Sequence, residues 1–130
     1  MGGVTTTVPD RGLTIGEAAA RLGLTTHTLR YYESEDLLVG TPGRTSAGRR
    51  RYDEADLRWI QMVQRLRATG MPVRSVRAYA ELCRAGAGNE EQRLALLHAH
   101  RQEVLAHLEE VTEHLTAITA KIEGYQAARA

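Results

Sequence analysis

The chain has 130 residues with 17 basic and 16 acidic side chains, a single cysteine, and no apolar run long enough to cross a membrane. This length fits one compact domain with an extended element and argues against a two-domain enzyme. One cysteine excludes an internal disulfide and a metal site built only of cysteines, so we expect a cytoplasmic protein with no cofactor, no metal and no membrane partner.

Basic residues are concentrated in the first part of the chain. Residues 1–77 carry 12 basic against 8 acidic residues, whereas residues 78–130 carry 5 against 8. All 12 are arginine, whose planar guanidinium suits phosphate groups and guanine edges. The N-terminal part is therefore expected to face a polyanion.

Two short helices are predicted near the start of the chain. Thr14 and Glu17 have the spacing of a capping box, and apolar residues follow at helical intervals up to Gly23. A threonine then caps a second helix over about residues 25–33. Two short helices joined by a tight glycine turn are typical of a helix-turn-helix.

The helical period stops over residues 37–52, where the turn-rich segment 40–48 predicts a β-hairpin, a candidate wing. Asp53 is expected to cap a third helix that ends near Gly70. A fourth helix follows and ends near Arg84.

The last segment has the clearest periodicity. From Leu94 to Tyr125, positions spaced alternately three and four residues apart are all apolar except Arg101. This pattern predicts a coiled coil, with a helix from about Glu90 that is roughly 54 Å long at 1.5 Å per residue. A second copy is the simplest partner, while the alternative is a helix folded back on its own domain. The residues expected to form the dimer are Leu94, Leu97, Val104, Leu108, Val111, Leu115, Ile118 and Ile122.

Four segments together resemble the MerR-type transcription regulators, over residues 13–130. They are residues 13–19, residues 28–33, residues 44–52 and residues 66–71. The resemblance implies a mainly α fold, with a winged helix-turn-helix at 13–84 and a long antiparallel coiled-coil dimerisation helix at 85–130. It also implies a homodimer on a pseudo-palindromic promoter operator, which acts with RNA polymerase by distorting double-stranded DNA in response to a small-molecule or stress signal. Residues 1–12 are small and polar, and this composition predicts a flexible leader.

The second helix is expected to enter the major groove, with Arg30 as the leading contact to a base or a phosphate. The alternative for Arg30 is a salt bridge with Glu33 or Glu17. Adjacent tyrosines point about 100° apart on a helix, so one should pack and one should reach phosphate. The resemblance favours Tyr32 as the phosphate contact. The full set of expected DNA contacts is Thr26, His27, Arg30, Tyr31, Tyr32, Arg44, Arg49, Arg50, Arg51 and Tyr52.

The wing departs from the family pattern at one position, because Arg49 stands where a tyrosine is expected. Trp59 and Tyr79 are predicted to be core residues. Cys83 is either a redox or electrophile sensor or a small packed residue.

Three histidines flank the predicted coiled-coil seam at the same heptad position, His100, His107 and His114. They are either solvated or clustered across an antiparallel dimer, where protonation would weaken the dimer.

The sequence leaves three alternatives to a regulator. A winged-helix architectural protein that bends DNA would have little need of the long coiled coil. An interaction module without a DNA role would leave the arginine-rich wing unexplained. An enzyme is not expected, because the sequence shows no paired carboxylates, no phosphate-binding glycine loop and no nucleophile beside a base.

Overall fold

The computed structural model describes residues 12–39, 43–44 and 50–130. Within these residues the fold is mainly helical, and the chain divides into two units, Met1–Arg93 and Leu94–Ala130. The elements follow the order α1 (Ile15–Leu22), α2 (Thr26–Ser34), β1 (Gly43–Arg44), β2 (Arg50–Arg51), α3 (Glu54–Ala68), α4 (Val73–Arg84) and α5 (Glu90–Arg129). Residues 1–11 of the predicted leader and most of the predicted wing segment lie outside the described residues.

The N-terminal helices begin and end where short-range signals place them. Thr14 caps α1, and the capping box with Glu17 is formed in both directions. Gly23 ends α1 in the left-handed conformation, with φ 70°. Asp53 caps α3 in the same way as Thr14 caps α1, because its carboxylate and that of Asp56 each accept a backbone N–H of the other residue.

The two strands pair antiparallel, with Gly43 opposite Arg51 and Arg44 opposite Arg50. The ladder continues beyond β2, where Leu13 and Tyr52 exchange two backbone hydrogen bonds of 2.8 Å. Gly12 has φ 79° and lies against the Tyr52 carbonyl, so this last residue of the predicted leader packs with the domain.

The core of the first unit is built from all four of its helices and from the segments that join them. Its buried apolar side chains are Ala18, Ala19, Leu29, Tyr32, Leu37, Tyr52, Leu57, Ile60, Val63, Leu66, Met71, Val76 and Ala80. The second unit consists of α5 from Leu94 onward. The long C-terminal helix that the periodicity predicts is therefore confirmed. No helix among the described residues is long and apolar enough to span a membrane.

Candidate nucleic-acid interface

The surface of α2 is the first part of the candidate site. Thr25 caps this helix, and its hydroxyl accepts the Thr28 N–H at 3.0 Å. Leu29 is fully buried and fixes the inner face. His27 and Arg30 are exposed, while Thr26 is half-buried. The structure therefore presents His27 and Arg30 on the outer side of a short, well-capped helix.

The adjacent tyrosines are divided between the core and the surface. Tyr32 is 6% exposed and Tyr31 is 43% exposed, with their ring centroids 6.5 Å apart. Burial raises the pKa of the Tyr32 hydroxyl, and Arg67 offsets part of that effect. The expectation that one ring packs is confirmed: Tyr32 packs and Tyr31 faces outward. The predicted phosphate contact of Tyr32 stays a prediction. Residue spacing on a helix separates the two rings without saying which one points inward.

The wing base differs from the sequence-based expectation at one of its predicted DNA contacts. Tyr52 is 1% exposed, and its backbone pairs with Leu13. The prediction that Tyr52 contacts phosphate is therefore corrected: its ring belongs to the core. Arg51 is half-buried beside it, and the backbones of Arg44 and Arg50 face each other across the strand pair. Arg49 lies outside the described residues.

Side chains of α3 and α4 hold the segment that leaves α2. Arg77 donates to the Glu35 carbonyl at 2.9 Å and to its carboxylate at 2.6 Å. Arg84 donates to the Leu38 carbonyl at 2.5 Å and to the Asp36 carbonyl at 3.2 Å. These four hydrogen bonds all hold the segment that connects α2 to β1.

Trp59 of α3 adds a third contact to this segment, since its indole N–H donates to the Leu37 carbonyl at 2.7 Å. This positioning role of Arg77, Arg84 and Trp59 is not among the roles predicted from the sequence. Arg77 and Arg84 are seven residues apart, which places them on one face of α4, and that spacing was the available signal.

The end of α2 has the geometry that a glycine usually provides. The Leu37 N–H donates to the Tyr32 carbonyl and the Asp36 N–H to the Glu33 carbonyl, which is the Schellman arrangement of a helix terminus. Asp36 takes the left-handed position with φ 60°. Because Asp36 and not a glycine occupies this position, the motif could not be predicted from the sequence.

Cys83 is half-buried in α4 and lines a cavity of about 290 Å³. Tyr79 stacks on Trp59, with ring centroids 5.6 Å apart and an interplanar angle of 17°. Burial raises the pKa of Tyr79, and the neighbouring Cys83 raises it further. The structure thus brings the cysteine beside this aromatic pair, and its predicted sensor role stays a prediction. Both rings are half-buried, so they form the edge of the core rather than its centre.

The predicted coiled-coil seam is a second candidate surface, and it lies in the second unit. Leu108, Leu115 and Ile118 are between 57% and 60% exposed in the single chain. Leu94, Val111, Ile122 and Tyr125 are exposed as well.

The three histidines that flank the seam do not share one environment. His107 and His114 are exposed, whereas His100 is 8% exposed. The expectation that all three histidines are solvated is therefore wrong. Among the described residues no group of three or more histidine, cysteine, aspartate or glutamate side chains is arranged to hold a metal ion.

Comparison with known proteins identifies relatives that span most of the chain. The family model for MerR HTH family regulatory proteins matches residues 13–83. An HTH-type transcriptional regulator of Haemophilus influenzae is 33% identical over 117 residues, which cover 90% of this chain and 86% of the relative. The regulator AdhR of Bacillus subtilis is 33% identical over 93 residues, covering 72% of this chain and 66% of AdhR.

Two solved structures share the fold with a TM-score of 0.83 each. One is HiNmlR, a MerR family regulator lacking the sensor domain, bound to promoter DNA; it is 32% identical and the match covers 92% of this chain and 94% of that chain. The other, from Listeria monocytogenes, is 31% identical and the match covers 88% of this chain and 86% of that chain.

A capped helix-turn-helix with an outward-facing second helix, followed by a long C-terminal helix, defines the class of helix-turn-helix transcription regulators that bind DNA. Within that class the chain belongs to the MerR family.

Proposed function

We propose that this protein is a cytoplasmic homodimer that binds a pseudo-palindromic promoter operator and controls transcription by distorting the DNA. The observation that carries the proposal is the outward face of α2, where His27, Arg30 and Tyr31 are all exposed. A short helix held by a buried leucine and a capping threonine is a rigid support for base contacts. HiNmlR, which shares the fold over most of the chain, was solved on promoter DNA.

Arg30 is assigned the leading contact, because a guanidinium donates two parallel hydrogen bonds to guanine O6 and N7. Tyr31 is assigned a phosphate contact because its ring is exposed, while the Tyr32 ring packs in the core and only its hydroxyl end is a candidate for the phosphate contact predicted from the sequence. Thr26 and His27 complete the contacts from α2. Arginines of the strand pair and of the segment between its strands grip the backbone of the DNA, namely Arg44, Arg49, Arg50 and Arg51.

The dimer places two copies of α2 on two half-sites of the operator. The exposed apolar seam of the second unit supports this assignment, because a large exposed apolar surface usually marks the site where a partner binds. Two-fold symmetry in the protein then requires a pseudo-palindrome in the DNA. RNA polymerase at the same promoter is the partner that senses the distortion.

The experiment that tests the proposal begins with footprinting on the DNA upstream of the protein's own gene. The protected sequence is then used for fluorescence anisotropy with the wild type, Arg30→Ala and a control. The control is Arg74→Ala, which removes an exposed cation of α4 outside the helix-turn-helix. Arg30→Ala should weaken operator binding by about 1–3 kcal/mol and reduce the preference for the operator over unrelated DNA.

Arg74→Ala should change the affinity for the operator and for unrelated DNA by similar amounts. Both changes should be smaller than the effect of Arg30→Ala on operator binding. Equal losses for Arg30→Ala and Arg74→Ala would contradict the assignment of α2 as the recognition helix. If the folded dimer leaves no footprint, the proposal that the protein binds an operator at this promoter is contradicted.

A further inference from the structure

A cavity of about 290 Å³ lies within the first unit, between the segment that leaves α2 and helices α3 and α4. Leu38 and Val39 line it from that segment, and Ala55, Asp56 and Trp59 line it from α3. Cys83 lines it from α4. No contact that we assign to DNA or to the dimer uses this space.

The size and the wall of the cavity restrict what it can hold. An apolar cavity of about 150 Å³ is enough to bind benzene, and ligand pockets start at about 300 Å³. This volume therefore suits one aromatic ring with a substituent, or two fused rings. Tyr79 already covers one side of the Trp59 indole, so another part of the indole is left to contact an occupant.

Polar chemistry at the wall comes from Asp56 and Cys83. One carboxylate oxygen of Asp56 accepts the Asp53 N–H at 2.9 Å, and the carboxylate keeps further acceptor capacity. A carboxylate repels anions and accepts a hydrogen bond from a hydroxyl or an ammonium group. Because the rest of the wall is mostly apolar, removing a cation from water is costly, and an uncharged molecule with one donor is favoured. We propose that this cavity binds a small, uncharged aromatic alcohol of the phenol class and that the bound molecule changes the affinity for DNA.

The second half of the proposal follows from what the cavity wall is joined to. Leu38 and Val39 link α2 to β1, and their position is set by the bonds from Trp59 and Arg84 to the Leu37 and Leu38 carbonyls. An occupant that prefers one arrangement of this segment changes the affinity of α2 and the strands for DNA. Bound DNA then changes the affinity of the cavity for the occupant by the same factor. This half rests on the proposed function, whereas the binding half does not.

Binding is tested first on the free protein, without DNA. The chain has one tryptophan, so the fluorescence of Trp59 reports directly on the cavity wall. The probe is p-cresol, and toluene serves as the same shape without the hydroxyl. We expect a saturable change with p-cresol and binding of toluene that is weaker by about tenfold, because the hydrogen bond is lost.

Two variants fill the cavity from different walls. Ala55→Leu starts from an exposed residue at the rim and should leave folding intact, while Cys83→Leu fills the opposite side. The control is Ala68→Leu, the same substitution at an exposed position of α3 that does not line the cavity. Both filling variants should weaken p-cresol binding by about tenfold or more, and the control by less than about twofold.

Operator affinity is then measured with and without p-cresol for the wild type and Ala55→Leu. The effector role is supported if p-cresol changes the operator affinity of the wild type by about fivefold or more and does not change that of Ala55→Leu. No saturable change in the wild type overturns the binding site, as does unchanged binding in the folded Ala55→Leu variant. Binding without any shift in DNA affinity overturns the effector role alone, and loss of DNA binding in every condition counts against the proposed function instead.

Discussion

The two units of the molecule treat their apolar residues in opposite ways. In the first unit Ala18, Leu29, Val63 and Val76 are fully buried by elements of the same unit. In the second unit the regularly spaced leucines and isoleucines remain about half exposed. The first unit therefore contains its own core, whereas the apolar side chains of the second unit remain exposed in the single chain. In the proposed dimer the second unit gains stability from the partner chain, whereas the first unit is stabilised within one chain.

The sharpest test of this contrast is a charge placed in the seam. Leu115→Glu removes an apolar side chain from each copy of the proposed dimer and puts a carboxylate in its place. Each buried leucine contributes about 1.5–3 kcal/mol, so the loss per dimer is about 3–6 kcal/mol and the dissociation constant rises about 100-fold or more. Analytical ultracentrifugation over a range of protein concentrations measures it.

Ala106→Glu is the matched control, because residue 106 is exposed on α5 and lies opposite the seam in the heptad pattern. It should leave the dimer intact. Far-ultraviolet circular dichroism should show that the first unit of Leu115→Glu stays folded. A dimer that survives Leu115→Glu as well as it survives Ala106→Glu would show that another surface joins the two chains.

The next test concerns how the first unit closes on itself. At Gly12 the backbone has φ 79°, and a Cβ there would lie 2.8 Å from the Tyr52 carbonyl oxygen. Gly12→Ala combines backbone strain with a clash against backbone, and we expect it to cost about 1–3 kcal/mol of unfolding free energy. Urea denaturation of the wild type and the variant measures the difference.

Gly16 offers the opposite outcome for the same substitution. It lies inside α1, and a Cβ there would meet only the Thr14 hydroxyl at 3.9 Å. Gly16→Ala should therefore stabilise the protein by about 0.5–1 kcal/mol, since alanine favours the helix. If Gly12→Ala proves neutral, the Leu13–Tyr52 pairing is not what closes the unit.

Local signals in the sequence were sufficient for most of the helices. The capping box at Thr14, the break at Gly23 and the cap at Asp53 all act over three or four residues, and the structure confirms each of them. The long C-terminal helix was equally readable, because its period repeats without a break. These features need no knowledge of where distant segments lie.

What the sequence did not predict depends on contacts between distant segments. Tyr52 is buried because Leu13, far from it along the chain, pairs with its backbone. Tyr32 rather than Tyr31 packs because of where the other helices lie, and helical spacing alone does not contain that information. The bonds from Arg77 and Arg84 to the segment after α2 cross more than 40 residues of sequence, so their spacing shows that they share a face of α4 but not which segment they contact.

The smallest predicted effect concerns the capping box of α1, where the local signal has an acid-dependent consequence. Hydrogen bonds from the Thr14 backbone and side chain lower the pKa of Glu17 below its ordinary value of 4.5. A carboxylate whose pKa is lowered by folding contributes stability above the unfolded pKa, and that contribution is lost as pH falls through the folded pKa. Glu17→Gln keeps an acceptor for the Thr14 N–H but does not titrate.

The thermal stability of the wild type should therefore exceed that of Glu17→Gln near neutral pH, and the difference should shrink as the pH falls below about 4.5. Glu81→Gln removes the same charge from an exposed position inside α4 and measures the general effect of losing one carboxylate. If the two variants follow the same pH dependence, the effect of Glu17 is the general effect of losing one carboxylate and not a property of the paired hydrogen bonds. A distinct profile for Glu17→Gln would show that even the first turn of a unit with its own core depends on one reciprocal pair of bonds.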